Sequence, residues 1–263
     1  MKNRKLKAAA LGLAVMGLIA PVSPVFAADT QTTTTTDPNA FDVSQVVKKA
    51  KALGCALKVK GNCSKKKFPR NFDFGQMVLT GMNFSGADLT GADFSECTLD
   101  KVNFSGANLT GANFSDVQSA TGANFSNAAL RGANFDSGVF DGANFNKAKA
   151  SRVNLSNTSL VRASGANTDF SYAILESTDF SQANFKNANF SNVTGTDPIF
   201  ENAQLVGVNF RNAKMTSPVF SGANLASADM TGSLIRLSDL DESDFCGATL
   251  YDGFTADDDC SNA

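Results

Sequence analysis

The side chains that could carry out chemistry are few in this sequence, and the most versatile of them is absent. The 263 residues include no histidine, which removes the imidazole base, the usual catalytic triad and the common zinc ligand sets. No glycine-rich loop follows a strand and opens a helix, so nucleotide binding has no support. We therefore predict a protein that is not an enzyme and that has no catalytic residue, no cofactor and no metal site.

Aspartates are the remaining candidates for chemistry. They stand directly before an apolar residue that recurs at every fifth position, and this set comprises Asp88, Asp93, Asp169, Asp179, Asp229, Asp239 and Asp244. Paired carboxylates can hydrolyse glycosides, and rows of them, or the run Asp257-Asp258-Asp259, could bind calcium. Asp and Asn alternate at this position, however, and no segment has the loop spacing of a calcium motif. Solvated polar rows are the favoured interpretation, and a calcium- or polymer-binding envelope protein stays as an alternative.

The five cysteines form two pairs and a single residue. Cys55 and Cys63 precede the repeats described below, and Cys246 and Cys260 follow most of them, so each pair could close a short loop at one end. In an oxidising compartment we expect disulfides between Cys55 and Cys63 and between Cys246 and Cys260. Cys97 stands where the repeats otherwise have alanine, and we expect it to be a buried free thiol.

The N-terminus has the pattern of an export signal. Basic residues precede an apolar run from Ala8 to about Ala20, and Val25-Phe26-Ala27 matches the small-x-small pattern of a signal-peptidase site. The apolar run is shorter than the roughly 20 residues that a membrane span requires. We predict a cleaved signal peptide at residues 1–27, no stable membrane insertion afterwards, and a location in the periplasm, the thylakoid lumen or the extracellular space.

Composition divides the chain into segments. Apolar residues at helical spacing predict a short helix at 41–53, with Asp42 as N-cap and Gly54 as the stop. The segments that we predict after the signal peptide are a disordered Thr-rich linker at 28–40, an N-terminal helix and cysteine-containing cap at 41–71, a β-helix at 72–252 and a C-terminal tail at 253–263.

From Phe74 onward, Phe, Leu or Met recurs every fifth residue. A step of five turns a helical side chain by about 140°, and on a flat strand an odd step alternates between faces. Neither element can bury this pattern, so the backbone must turn a corner once per pentapeptide and stack the apolar side chains along one axis. The predicted core stack contains Phe94, Phe104, Phe114, Phe125, Phe135, Phe145, Phe180, Phe185, Phe190, Phe200, Phe210 and Phe220.

Segments such as Ala87-Asp88-Leu89-Thr90-Gly91 resemble the consensus of the pentapeptide-repeat family. The resemblance implies an all-β fold, a right-handed quadrilateral β-helix with four pentapeptides per coil, here with a short N-terminal capping helix. The echo between Thr196-Asp197-Pro198-Ile199-Phe200 and Thr216-Ser217-Pro218-Val219-Phe220, twenty residues apart, agrees with four sides. Departures from the pattern are expected at Ser119, Ala150, Gly165 and Gly195, where a central residue is small, and at a bulge near 117–122.

The leading functional hypothesis is an exported, non-catalytic scaffold that binds a protein partner, of unknown identity, through the faces of a rigid rod. The alternative is a DNA mimic that protects a topoisomerase, as the best-understood members of the family do. The export signal disfavours it, and so do basic residues expected to interrupt an acidic face: Lys147, Lys149, Arg152, Arg162, Lys186 and Arg211. We expect no nucleic-acid partner.

Charge is also polarised along the chain. The basic set before the repeats comprises Lys48, Lys49, Lys51, Lys58, Lys60, Lys65, Lys66, Lys67 and Arg70. The acidic set at the C-terminal end comprises Asp239, Asp241, Glu242, Asp244, Asp252, Asp257, Asp258 and Asp259. Such blocks are commonly solvated surface, but opposite ends of a rod could also attract each other, so an end-to-end homo-oligomer is a further expectation.

Overall fold

The computed structural model describes residues 41–256. The predicted signal peptide, the predicted linker and the residues from Asp257 to Ala263, including Cys260, lie outside the described residues. Within 41–256, no helix is both long and apolar enough to cross a membrane.

One α-helix lies over the start of the repeats. This helix, α1, spans Val43–Ala52, and the side chain of Asp42 caps it by accepting hydrogen bonds from backbone N–H groups of the first turn. Val46 and Ala50 are buried and join the hydrophobic core, whereas Lys48 and Lys49 between them are exposed. The apolar stripe of α1 therefore covers the first coil and leaves a basic outer face.

The rest of the chain winds as a β-solenoid. Parallel bridges join residues twenty or twenty-one positions apart, beginning with Asn62 and Asn83, so one coil holds four pentapeptides. Two segments within 41–256 are long enough to be strands, β1 (Thr194–Thr196) and β2 (Lys214–Thr216), which pair in parallel with Thr194 opposite Lys214. Elsewhere each pentapeptide contributes a single bridged residue per coil.

Four ladders of bridged residues run along the solenoid, numbered in chain order from the ladder that contains Asp73. Ladder 1 contains Asp73, Asp93, Asn113, Asn134, Asn154, Ile174, Thr194 and Lys214. Ladder 2 contains Val78, Thr98, Ser119, Val139, Ser159, Asp179, Ile199 and Val219. Ladder 3 contains Asn62, Asn83, Asn103, Asn124, Asn144, Ser164, Asn184, Gln204, Asn224 and Asp244. Ladder 4 contains Lys67, Asp88, Asn108, Ala129, Lys149, Asp169, Asn189, Asn209, Asp229 and Thr249.

Each pentapeptide has the same local geometry, which Asp93 to Cys97 illustrate. Phe94 is buried, and its carbonyl accepts a hydrogen bond of 3.2 Å from the N–H of Cys97, which closes a turn. Glu96 within the turn has a φ of 57°, in the left-handed region that glycine occupies in other repeats. The Asp93 carboxylate accepts a bond of 2.9 Å from the N–H of Ser95. The repeat therefore favours Asp or Asn before the centre because a short polar side chain stabilises the corner.

The central side chains fill the interior. All twelve phenylalanines of the predicted core stack are buried. The rings of Phe74, Phe94, Phe114 and Phe135 follow one another in parallel, with centroid separations of 4.7, 5.0 and 5.0 Å. These distances match the spacing of about 4.7–4.9 Å between neighbouring strands. Rings on opposite ladders, such as those of Phe94 and Phe104 with centroids 5.3 Å apart, meet edge to face, the favourable alternative geometry for aromatic pairs.

The bulge near 117–122 is formed, but Ser119 does not occupy a central position. Ser119 is half-buried and bridges Thr98 across twenty-one residues, and the next residue, Ala120, is buried in its place. Counting five residues from Phe114 predicts that Ser119 is the next central residue. The extra residue of the bulge lies before this position, so Ala120 is central instead. The prediction for Ser119 was therefore wrong by one position.

The small central residues do not leave open pockets. A Cβ added to Gly165 would lie 1.9 Å from a ring atom of Phe185, so this ring already occupies the missing side chain's space. A Cβ on Gly195 would lie 2.7 Å from the carbonyl carbon of Leu175. At both positions the neighbouring coil fills the gap that the sequence leaves.

The first coil begins before residue 72, the predicted boundary of the β-helix. Asn62 and Lys67 are already bridged to the following coil, and Cys63 and Phe68 are buried beside them. The spacing of five is hidden there because an extra residue separates Phe68 from Phe74 and because a cysteine replaces the usual ring or leucine at 63.

The last coil is irregular. A 3-10 helix at Leu237–Asp239 interrupts ladder 2, and the chain turns back after Leu250 so that Thr255 pairs with Thr249 in an antiparallel bridge. The C-terminal end is thus closed by a short reversal of the chain, in contrast to the helix at the N-terminal end.

Candidate interaction surfaces

The aspartates before the central residues hold the corners together. Asn113 donates a side-chain hydrogen bond of 3.0 Å to Asp93, Asn134 donates one of 3.2 Å to Asn113, and Asn154 donates one of 3.0 Å to Asn134. Because Asp and Asn are mixed along a ladder, the side-chain N–H of an Asn can donate a hydrogen bond to the Oδ1 of the Asp or Asn in the preceding coil. These polar side chains therefore form hydrogen bonds between successive coils of the rod.

Among the described residues, the ladders do not form rows of paired carboxylates. Among the bridges between described residues, Asp73 and Asp93 are the one pair of acids placed opposite each other, whereas Asp88 lies between Lys67 and Asn108. The pKa of Asp88 is lowered, mainly by the hydrogen bond from the Thr90 hydroxyl. A general acid would need a raised pKa. No group of three or more potential metal ligands occurs within 41–256.

Charge is segregated around the rod. We define the acidic side as the exposed and half-buried residues of the pentapeptides on ladders 1 and 2, and the basic side as those on ladders 3 and 4. Between residues 73 and 212 the acidic side carries eleven acids and two bases, and the basic side carries six bases and two acids. The acids of the acidic side are Asp73, Asp93, Glu96, Asp100, Asp116, Asp136, Asp141, Glu176, Asp179, Asp197 and Glu201. The bases of the basic side are Arg131, Lys147, Lys149, Arg152, Lys186 and Arg211.

This distribution corrects one argument from the sequence. Five of the six basic residues that were expected to interrupt an acidic face lie on the opposite, basic side, and Arg162 alone of them lies on the acidic side. The chain passes to the next ladder every five residues. Charges that alternate along the sequence therefore lie on different sides of the rod. The sequence contained this signal in the position of each charge within the twenty-residue coil.

The basic side is weakly neutralised. Among described residues of this side, the one salt bridge joins Arg211 to Asp229 at 2.9 Å, and both side chains are partly exposed. The guanidinium of Arg152 lies 4.8 Å from the ring centroid of Tyr172 one coil further on, a cation–π contact.

The cysteines occupy structural positions. Cys55 and Cys63 are joined by a disulfide with a Cα–Cα distance of 4.8 Å. Cys246 is disulfide-bonded, and its predicted partner, Cys260, lies outside the described residues. Cys97 is a buried free thiol that donates a hydrogen bond of 3.0 Å to the carbonyl of Phe74. Burial raises the pKa of this thiol.

The buried threonines make the same contact as Cys97, which the sequence did not reveal. Thr158, Thr168 and Thr178 each donate from Oγ1 to the carbonyl of a central residue twenty-three positions earlier, at 2.9, 2.7 and 2.8 Å. Small hydroxyl or thiol side chains are therefore accepted at the inward alanine position because a carbonyl of the preceding coil is within reach.

Comparison with known proteins identifies the repeats. The family model for pentapeptide repeats matches in eight copies, over residues 73–116, 123–160, 151–187, 166–194, 173–212 and 199–232. No curated protein matches the chain.

The solved structure of HetL supports the fold, and two further pentapeptide-repeat structures are similar in sequence. HetL, a pentapeptide repeat protein involved in heterocyst differentiation regulation from the cyanobacterium Nostoc sp. strain PCC 7120, is 24% identical with a TM-score of 0.51, over 82% of this chain and 100% of HetL. A pentapeptide repeat protein from the Arabidopsis thaliana thylakoid lumen is 26% identical with a TM-score of 0.19, over 46% of this chain and 63% of that one. QnrB1, a plasmid-mediated fluoroquinolone resistance protein, is 21% identical with a TM-score of 0.35, over 70% of this chain and 76% of the trypsin-treated QnrB1.

Proposed function

Because this chain belongs to the pentapeptide-repeat family, whose repeats cover most of its length, we propose that it is an exported, non-catalytic scaffold that binds a basic protein partner along its acidic side. The proposal takes the coil to be right-handed and four-sided, as the family resemblance implies. Nothing among the described residues resembles a catalytic site, so the function must lie in the surface of the rod.

The segregation of charge carries this proposal. Eleven acids against two bases on ladders 1 and 2 form a surface of one sign that extends over seven coils. At about 4.8 Å per coil this surface is roughly 30 Å long. A surface of this length and sign attracts a basic partner, speeds its association and fixes its register.

A charge-reversal pair tests the acidic side. The variant Glu96→Lys, Asp116→Lys, Glu201→Lys changes exposed side chains of the acidic side, and the matched control Arg131→Glu, Lys147→Glu, Lys186→Glu changes the same number on the basic side. Crosslinking in the producing cells, followed by mass spectrometry, is expected to capture one basic partner with the native chain and with the control. The acidic-side variant should lose that partner. Equal loss in both variants, or loss in the control alone, would refute the assignment.

Export is tested separately by the intact mass of the natively produced protein, before and after reduction. Cleavage after Ala27 and a gain of two hydrogens for each predicted disulfide are the expected results. A full-length, fully reduced chain would contradict export and would indicate that the protein stays in the cytosol.

The DNA-mimic alternative is favoured by one observation, the continuity of the acidic side. The acids of ladders 1 and 2 are interrupted between residues 73 and 212 by Lys101 and Arg162 alone. If the intact mass places the protein in the cytosol, a gyrase-protection assay with the native chain and the acidic-side variant becomes decisive. Protection that the variant loses would establish this alternative and overturn the exported scaffold.

A further inference from the structure

The two ends of the rod carry opposite charges. Residues 41–71 contain nine basic residues and one acid, Asp42, whereas residues 237–256 contain five acids and no base. Within 41–256, none of the basic residues of the N-terminal cap takes part in a salt bridge, and Asp239 alone of the C-terminal acids does, with Arg236. Most of these charges therefore form no salt bridge within the described part of the chain.

The N-terminal end contains a cavity of about 460 Å³ between α1 and the first coil. Its apolar lining comes from Phe41, Val46, Pro69 and Phe72, and basic, acidic and uncharged polar side chains complete it. A cavity of about 150 Å³ already accommodates a benzene ring, so this one can receive an aromatic side chain with room to spare. Lys49 and Arg70 line it together with Asp42 and Asp73, so the positive charge at this end comes from the surrounding cap and not from the cavity lining alone.

The C-terminal end presents apolar side chains to solvent. Four large apolar residues are exposed within a short segment: Leu234 at 58%, Leu237 at 52%, Tyr251 at 44% and Phe254 at 72%. Large exposed apolar side chains at one end of a rod are candidates for an interaction site.

Phe254 is the most exposed of these side chains, and its backbone is held in place. Its carbonyl accepts a hydrogen bond of 2.8 Å from the N–H of Leu250, and its own N–H donates one of 3.2 Å to the carboxylate of Asp252. The aromatic ring therefore projects from an anchored turn, next to an acid.

We propose that Phe254 of one copy enters the cavity beneath α1 of a second copy, with Asp252 facing Lys49 and Arg70 at its edge. The occupant is a second copy because both halves of the contact lie on this chain: an exposed aromatic side chain at the acidic C-terminal end and a partly apolar cavity at the basic N-terminal end. The contact joins different surfaces and leaves one of each free, so it propagates head to tail into an open filament. It concerns the ends alone and does not depend on the acidic side binding a partner.

Sedimentation velocity of the natively produced protein over a range of concentrations tests this contact. We expect oligomers that grow with concentration at low salt and dissociate at high salt, because exposed charges are screened. Phe254→Ser removes the projecting ring, and Lys49→Glu with Arg70→Glu replaces both bases of the cavity lining by acids. Each variant alone is expected to lower the association constant at least tenfold, whereas Val139→Ser, an exposed apolar residue on ladder 2, should assemble like the native protein.

Mixing the two end variants gives the sharpest result. The Phe254→Ser chain keeps an intact cavity, and the Lys49→Glu, Arg70→Glu chain keeps an intact projection. One productive contact is therefore possible per pair, and a fluorescently labelled mixture should form dimers that do not grow further. Circular dichroism confirms that both variants, which change exposed positions, are folded.

A native protein that stays monomeric at low salt overturns the proposal. This holds if the chain that precedes Phe41 fills the cavity, and it holds equally if the basic cap binds anionic lipid vesicles instead of a second copy. Undiminished assembly of the Phe254→Ser variant, or failure of the two variants to combine, would overturn it as well.

Discussion

Replacing Gly165 by alanine should destabilise the folded rod, because the added methyl group would overlap with the ring of Phe185. A Cβ at this position would lie 1.9, 2.2 and 3.0 Å from three ring atoms of Phe185, whereas carbon atoms in contact are about 3.5–4.0 Å apart. The ring must therefore move by more than 1 Å within a close-packed interior, and overpacking of this kind costs about 1–3 kcal/mol. Gly165 has no positive φ, so the cost is steric.

The partner substitution Phe185→Leu removes the ring atoms that obstruct Gly165→Ala. In a double-mutant cycle we expect the two changes to be coupled by about 1 kcal/mol or more, with the double variant more stable than the sum of the single effects predicts. Gly106→Ala is the matched control, because nothing lies within 4 Å of its added Cβ and its φ is +64°. Its cost of about 1 kcal/mol comes from the left-handed backbone and should be the same with Phe185 or Leu at 185.

Equilibrium unfolding in urea, followed by circular dichroism, measures these differences, with equal slopes required for the comparison. The explanation that the Phe185 ring fills the space beside Gly165 would be wrong in two cases. One is that Gly165→Ala leaves the unfolding free energy unchanged, and the other is that Phe185→Leu reduces the cost of Gly165→Ala and of Gly106→Ala equally.

Three further predictions follow from single side chains. Thr168→Val should cost about 1 kcal/mol of unfolding free energy by removing the buried bond to the Phe145 carbonyl, and urea unfolding beside Thr80→Val, which has no such bond, checks it. Cys97 should resist iodoacetamide in the folded protein, because burial raises the pKa of its thiol and leaves little thiolate; mass spectrometry showing rapid labelling without denaturant would contradict this. The lowered pKa of Asp88 contributes stability that is present above its unfolded value of 3.8 and is lost as the pH falls through the lower folded value. Asp88→Asn should therefore show a smaller acid-induced drop in melting temperature than the native chain, and an identical drop would show that Asp88 does not contribute.

The five-residue period was sufficient to predict the architecture because it leaves few geometrical solutions. Neither a helix nor a flat strand buries Phe94, Phe104 and Phe114 together, so a corner per repeat is required, and the corner then explains the Asp, Asn and Gly preferences. The period failed where the chain departs from it by one residue, before Phe74 and before Ala120. At those points the register is decided by bridges to the next coil, which are long-range contacts that a local count does not contain.

The surfaces were harder to predict than the core. The charge blocks at the two ends are visible as runs in the sequence, but the segregation of acids from bases around the rod depends on the phase of each residue within a twenty-residue coil. Lys147 and Asp141 are close neighbours in the chain and yet belong to the basic and the acidic side. The cavity beneath α1 depends on how the helix packs on the first coil, which no spacing in the sequence specifies.

The extra residue between Val117 and Ala120 has a consequence for how such a chain can change its length. In a flat sheet, a shift of one residue sends every later side chain to the opposite face. Here the bridges pass from a separation of twenty to twenty-one and back to twenty, and Phe125 and Phe135 still stack on Phe104 and Phe114. A single insertion is absorbed at one corner, and whole coils can be gained or lost without altering the order of the ladders. Length is thus an adjustable property of this protein, and the reach of its surfaces can vary while their chemistry stays the same.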